Sequence, residues 1–243
     1  MTRTPDAFLG GKINLYQLED GYRAGMDAAV LVAALGLKPG QRAMEFGCGV
    51  GAALLGAAAL YDDVQLIGVE LDPKAAALAQ ENIALNEMTD RVRVVEGDAL
   101  AYTKARELDA VFFNPPFFDD PSALRAPKAG KSPAWISEAG LAAWIETGLK
   151  RLRSGGVLTV IQRADRLDDI LIALKGRAGT VKVLPVHARS DEPAKRVLVQ
   201  ATKAGKAPLQ LCSPLILHQA GGTGFTADAD AIFRGEKPLE FSR

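Results

Sequence analysis

Asn114-Pro115-Pro116-Phe117 is the stretch of this 243-residue chain whose side chains point most directly to chemistry. An amino group conjugated to a ring or a carbonyl is a poor nucleophile, because its lone pair is delocalised. The Asn114 side-chain oxygen can accept one hydrogen of such a group, and the Pro115 carbonyl can accept the other. Two acceptors so placed favour a pyramidal nitrogen in the transition state and free its lone pair for an incoming methyl group. Pro115 holds Asn114 extended and Pro116 holds Pro115, so the turn is stiff before any substrate arrives. Phe117 and Phe118 add flat apolar faces on which an extruded base could lie. No general base of shifted pKa is required, which suits a chain whose histidines are His187 and His218 alone. The plainer alternative is a strand ended by proline and packed by buried phenylalanines.

A second constellation lies upstream, in Glu45-Phe46-Gly47-Cys48-Gly49-Val50-Gly51. Glycines between a strand and a helix allow a sharp turn and let a ligand lie against the main chain. With Ala52 the same residues satisfy the dinucleotide fingerprint Gly-x-Gly-x-x-Ala, so the glycines alone leave the ligand open. Three carboxylates narrow it. Glu70 ends the next strand, where it can accept from ribose hydroxyls, and Asp98 follows the third strand, placed to meet an adenine. Glu45 precedes the first glycine, an awkward neighbour for a pyrophosphate and a natural one for a cation. S-adenosylmethionine carries an ammonium and a sulfonium and no phosphate, and it is the expected cofactor. Taken singly, Glu70 could be a solvated strand end and Asp98 a helix N-cap for Ala99 onward.

Elements in the right order are expected to present these groups. From about Gln41 to Thr202 apolar runs and amphipathic segments alternate, the mark of a parallel sheet covered by helices. Strands are predicted over 42–46, 64–70, 92–95, 110–113 and 157–161, with 181–186 and 196–201 as a terminal pair. Helices are predicted over 52–60, from Pro73 to about Asn86 with Asp72 as N-cap, and over 137–152, the last closed by Gly155-Gly156. The expected fold is an α/β, Rossmann-like, mostly parallel sheet of seven strands with an antiparallel terminal strand. One domain is expected across 1–243, with 1–37 carrying its own apolar helix (28–35) and 119–133 forming a mobile loop. Lysine plus arginine and aspartate plus glutamate number 29 each, which excludes a globally basic nucleic-acid binder but not a local basic patch. Two cysteines, Cys48 and Cys212, lack metal-ligand spacing and suggest a reducing compartment. The start does not read as a signal peptide, and the longest apolar run, 28–36, is too short to span a bilayer. A cytoplasmic protein with neither membrane nor metal partner is expected.

The glycine turn ahead of Asn114-Pro115-Pro116-Phe117 resembles the class I methyltransferases that act on exocyclic or amide nitrogen. It is most similar to the bacterial tRNA (adenine-N6) methyltransferase family that modifies valine tRNA. The resemblance is nearly full-length: it includes Gly21-Tyr22-Arg23-Ala24-Gly25-Met26-Asp27, Gly155-Gly156-Val157 and Pro193-Ala194-Lys195-Arg196-Val197-Leu198-Val199. It implies that Asp27 lies near the methionine end of the cofactor, that Glu70 binds ribose and Asp98 adenine, and that Asn114 meets the target amine. Phe117 stands where many adenine-specific members carry Tyr, and the Asn-Pro-Pro-Phe form also occurs in rRNA guanine-N2 methyltransferases. Glutamine N5 of a protein is another acceptor for such a turn, and a catalytically silent cofactor- or RNA-binding module is the non-enzyme alternative. Arg125, Lys128 and Lys131 in the loop after the turn are expected to contact RNA phosphates, as a lid or else as a solvated loop. RNA, and tRNA in particular, is the expected partner.

Overall fold

The computed structural model describes residues 4–18, 25–115 and 133–241. An N-terminal hairpin of β1 (Asp6–Phe8) and β2 (Ile13–Leu15) precedes α1 (Met26–Ala33). Then β3 (Arg42–Phe46), α2 (Ala52–Leu60), β4 (Gln65–Glu70), α3 (Pro73–Leu85), β5 (Val92–Glu96) and β6 (Leu108–Phe113) follow in turn. After these come α4 (Pro133–Arg151), β7 (Leu152–Arg163), α5 (Leu167–Leu174), β8 (Ala178–His187) and β9 (Ala194–Lys203). Two short strands, β10 (Gln210–Leu211) and β11 (Leu215–Ile216), and α6 (Ala227–Phe233) complete the described residues.

The main sheet runs β10-β8-β9-β7-β6-β3-β4-β5, with β11 also on β8. Its seven long strands match the expected number, and β10 and β11 raise the total among the described residues to nine. The antiparallel strand is β9, the last long strand of the chain, but it lies between β7 and β8 rather than at the sheet's edge. Because β9 opposes both neighbours, β3, β4, β5, β6, β7 and β8 all end at one edge. Open α/β sheets bind their ligands at that carboxyl edge.

Alternation along the strands sends side chains to two cores. Ala43 and Phe112 face α1, α2, α3 and α6, while Met44, Phe46, Val111 and Phe113 face α4 and α5. The central parallel strands β3, β4 and β6 are buried on both faces, which is why they read as continuous apolar runs. Asp72 caps α3 as expected, its side chain accepting from the Lys74 and Ala75 amides, with Pro73 in the first turn. Other boundaries differ. Helix α4 begins at Pro133, carries a kink at Gly140 (φ 53°) and ends at Arg151. Leu152 starts β7 directly, so Gly155-Gly156 belong to a strand and do not close a helix. A Cβ at Gly156 would sit 2.9 Å from the Leu108 carbonyl, and the β6–β7 register shifts there. Gly156 is glycine because two backbones meet at an irregularity in the sheet, and Gly155 because its φ is 78°. The expected loop, 119–133, lies outside the described residues except for Pro133, which opens α4. Among the described residues, no helix is long and apolar enough to cross a membrane.

Candidate functional site

Gly47, Gly49 and Gly51 all have positive φ (62°, 55° and 89°), a conformation that side chains with a Cβ resist. Gly51 occupies the N-cap of α2 in the left-handed region. A Cβ at Gly47 would come within 2.9 Å of the Trp144 ring, whereas one at Gly49 would meet nothing within 4 Å. The turn is therefore packed from below at Gly47 and open above Gly49. Trp144 also meets Phe46 and Phe113 edge-on, at 6.1 and 5.4 Å between centroids. One aromatic side chain of α4 thus braces the ends of β3 and β6 that lead into the glycine turn and Asn114.

Hydrogen bonds fix the turn to the next strand. The Gly47 and Cys48 amides donate to the Val69 carbonyl at 2.8 and 3.3 Å. Glu70 is more than a strand end. Its Oε2 accepts from the Gly49 amide at 2.7 Å and its Oε1 from the Asp72 amide at 2.8 Å. The carboxylate links the glycine turn to the start of α3, and each oxygen keeps a lone pair for a ligand hydroxyl.

Glu45 lies beneath the turn on the α2 side of the sheet, 4% exposed. The Leu54 amide faces its carboxylate and partly offsets the burial, but Oε2 has no hydrogen-bond partner. Burial, with the Glu70 charge second, pushes its carboxyl well above the usual range. An acidic group held this way suits a ligand that brings positive charge, and it disfavours a pyrophosphate. Cys48 is buried in the same place, and burial followed by the Glu45 and Glu70 charges pushes its thiol up, so it is no nucleophile. A Cβ at Gly68 would stand 2.6 Å from the Cys48 sulfur, which explains why small residues face each other here.

Asp98 follows β5 and does not cap a helix, since no helix spans 99–107. Its Oδ1 accepts from the Leu100 amide at 2.8 Å, closing a turn that holds it at the carboxyl edge. Asp27, in the first turn of α1, pairs with Arg196 at 3.0 Å. Arg196 lies near the start of the antiparallel strand β9, opposite Arg163 at the end of β7, so Asp27 belongs to the same edge. Asn114 is half-buried and Pro115 buried, directly beyond β6 and one strand from the glycine turn. The structure thus brings Asp27, Gly47, Gly49, Gly51, Glu70, Asp98, Asn114 and Pro115 to one edge of the sheet, with Glu45 just beneath it. Pro116, Phe117, Phe118, Arg125, Lys128 and Lys131 lie outside the described residues.

Asn82 is a supporting residue that pattern reading missed. It is fully buried in α3. Its amide nitrogen donates to the Val50 carbonyl of the glycine turn at 2.9 Å and to the Tyr16 carbonyl at 3.0 Å, while its oxygen accepts from the Tyr16 amide at 2.7 Å. Asn86 makes a reciprocal pair with the Asn14 backbone one turn later. The available signal was a polar residue at an inward position, three after Ala79 and one before Ile83.

Known proteins fit this geometry. A tRNA1(Val) (adenine(37)-N6)-methyltransferase of Porphyromonas gingivalis is 29% identical over 230 residues, 89% of each chain. One of the same name from Bacteroides thetaiotaomicron is 29% identical, covering 74% of this chain and 76% of its own. A solved structure titled a predicted O-methyltransferase, from Agrobacterium tumefaciens, superposes with a TM-score of 0.74 at 27% identity, over 89% of this chain and 99% of that one. The model of the methyltransferase small domain matches residues 23–185. The methyl donor is S-adenosylmethionine, which the open glycine turn and the unpartnered carboxylate beneath it fit, and the chain belongs to the methyltransferase small domain family.

Proposed function

We propose that this enzyme methylates the N6 amino group of an adenine in tRNA. The observation that carries the proposal is the Asn114-Pro115 turn, set one strand from the glycine turn at the carboxyl edge. S-adenosylmethionine supplies a methyl group made electrophilic by its positively charged sulfur. Gly47, Gly49 and Gly51 leave the backbone accessible to the donor, Glu70 and Asp98 accept from its hydroxyl and amino groups, and Glu45 and Asp27 face its positive end. The Asn114 oxygen and the Pro115 carbonyl accept the two hydrogens of the target amine and so hold its lone pair ready. A hydroxyl acceptor has one hydrogen and would leave one of these acceptors idle, so nitrogen is favoured over oxygen. Phe117 and Phe118 stack on the extruded base, and Arg125, Lys128 and Lys131 contact flanking phosphates.

The two curated relatives support tRNA adenine over rRNA guanine N2 and protein glutamine N5, since both bear that name across most of their length. One sheet carries both cores, which supports a single domain over 1–243. The test is transfer of labelled methyl from S-adenosylmethionine to total RNA and, separately, to total protein. Label in N6-methyladenosine after nuclease digestion is expected. Label confined to ribonuclease-resistant material would overturn the proposal.

A further inference from the structure

The carboxyl edge continues past Asn114 to an open cleft of about 840 Å³, lined by Arg189, Ser190, Asp191, Gly221, Gly222 and Thr223 among others. It lies between the turn joining β8 to β9 and the segment after β11. Strand β8 ends at the same edge as β6, three strand spacings away through β7 and β9. At roughly 4.8 Å per spacing the cleft sits about 14 Å or more from the reaction turn. That distance is within reach of a single strand, whose protein sites start at roughly 4 nucleotides.

The cleft's chemistry suits a base rather than a bare phosphate. Asp191 is exposed and has no hydrogen bond or ion pair among the described residues, so its carboxylate would repel an anion and accept from a base N–H. Ser190 and Thr223 supply hydroxyls. Arg189 is held in place by the Gln219 carbonyl at 3.0 Å and lies 3.6 Å from Glu192, so its guanidinium is positioned rather than loose. Gly221 takes φ 69°, and a Cβ there would meet nothing within 4 Å, leaving open backbone on which a ring can lie. The bridge between His218 and Phe225 closes the hairpin that carries Gly221 and Gly222, and its two rings stack at 5.0 Å and 25°. Phe225 rests edge-on against Phe233 yet stays 37% exposed. A braced, exposed aromatic ring is what a base needs for stacking.

We propose that this cleft is a second nucleotide site, which holds a base of the same RNA strand a few residues from the methylated one, stacked near Phe225 and read at its edge by Asp191 and Arg189. The inference rests on RNA being the substrate. The test is steady-state methyl transfer to tRNA by wild type, Asp191→Ala, Arg189→Ala and Phe225→Leu, with donor affinity and thermal unfolding measured on each. KM for tRNA is expected to rise about tenfold in Asp191→Ala and Arg189→Ala, with kcat and donor affinity unchanged. Wild-type tRNA substituted with 4-thiouridine should photo-crosslink to peptides spanning 189–191 or 218–225. Active wild type with unchanged KM in the variants, or crosslinks found only elsewhere, would overturn the site while leaving the RNA substrate intact. No transfer from wild type to any RNA would instead remove the substrate, and the site with it.

Discussion

Replacing Glu45 by Gln removes the ionisable group from beneath the glycine turn while keeping its shape. The native carboxyl is 4% exposed, lacks a partner for Oε2, and titrates well above its ordinary 4.5, burial being the main cause. A carboxyl raised on folding holds a proton that the unfolded chain has already released. The native state therefore loses stability as pH rises from the ordinary carboxylate value through the raised one. Glu45→Gln lacks that loss, so the donor-free variant should unfold at the same temperature as wild type at pH 5, and at an equal or higher one at pH 8. Donor binding should move the opposite way. A buried carboxylate bonded to a charged group is worth about 1.5–3 kcal/mol, or roughly 10- to 100-fold in affinity. Titration calorimetry with S-adenosylmethionine in two buffers of different ionisation enthalpy reads both affinity and protons. Wild type should release more protons on binding than Glu45→Gln, which should also bind more weakly. Unchanged affinity together with a lower unfolding temperature at pH 8 would refute the reasoning and make Glu45 a packing residue.

Asn114→Ala should lower kcat by about 100-fold or more, with donor affinity within twofold of wild type, in single-turnover and binding measurements. Asn82→Ala removes the hydrogen bonds that the Asn82 side chain makes to the Tyr16 amide and to the Val50 and Tyr16 carbonyls. It should cost about 3 kcal/mol by urea unfolding and also weaken donor binding, because the turn loses an anchor. Gly68→Ala inserts a methyl 2.6 Å from the Cys48 sulfur and 2.8 Å from Leu54. A drop of about 1–3 kcal/mol is expected, and Cys48→Ala in the same chain should recover part of it.

The order of strands, the glycine turn and the place of Asn114 were legible because each is local. An apolar run ending in glycine, a Pro after Asp72, or Asn-Pro after a strand constrains its own backbone. Long-range pairing was not legible. Nothing near Asn82 in the chain announces that it binds Tyr16, 66 residues away, or near Asp27 that it pairs with Arg196, 169 residues away. Gly155-Gly156 misled for a related reason. A glycine pair after an amphipathic helix is a helix stop in isolation, and only the close approach of the Leu108 carbonyl makes it part of a strand. The insertion of β9 between β7 and β8 follows from antiparallel pairing that β-branched runs permit but do not dictate. Strands β10 and β11, two residues each, are too short for any periodic signal. The charge pattern near the last strands was legible in sum only: Arg189 and Lys195 both lie against Glu192, while Asp191 is left facing the cleft.

The central claim is that Asn114 and Pro115 present an adenine amine of tRNA to the donor held over the glycine turn. Mass spectrometry of nucleosides from purified tRNA, in cells lacking the gene and complemented with wild type or Asn114→Ala, tests it most directly. N6-methyladenosine should vanish from one tRNA species on deletion, return with wild type and stay absent with the variant. Unaltered N6-methyladenosine in tRNA across all three strains would contradict it.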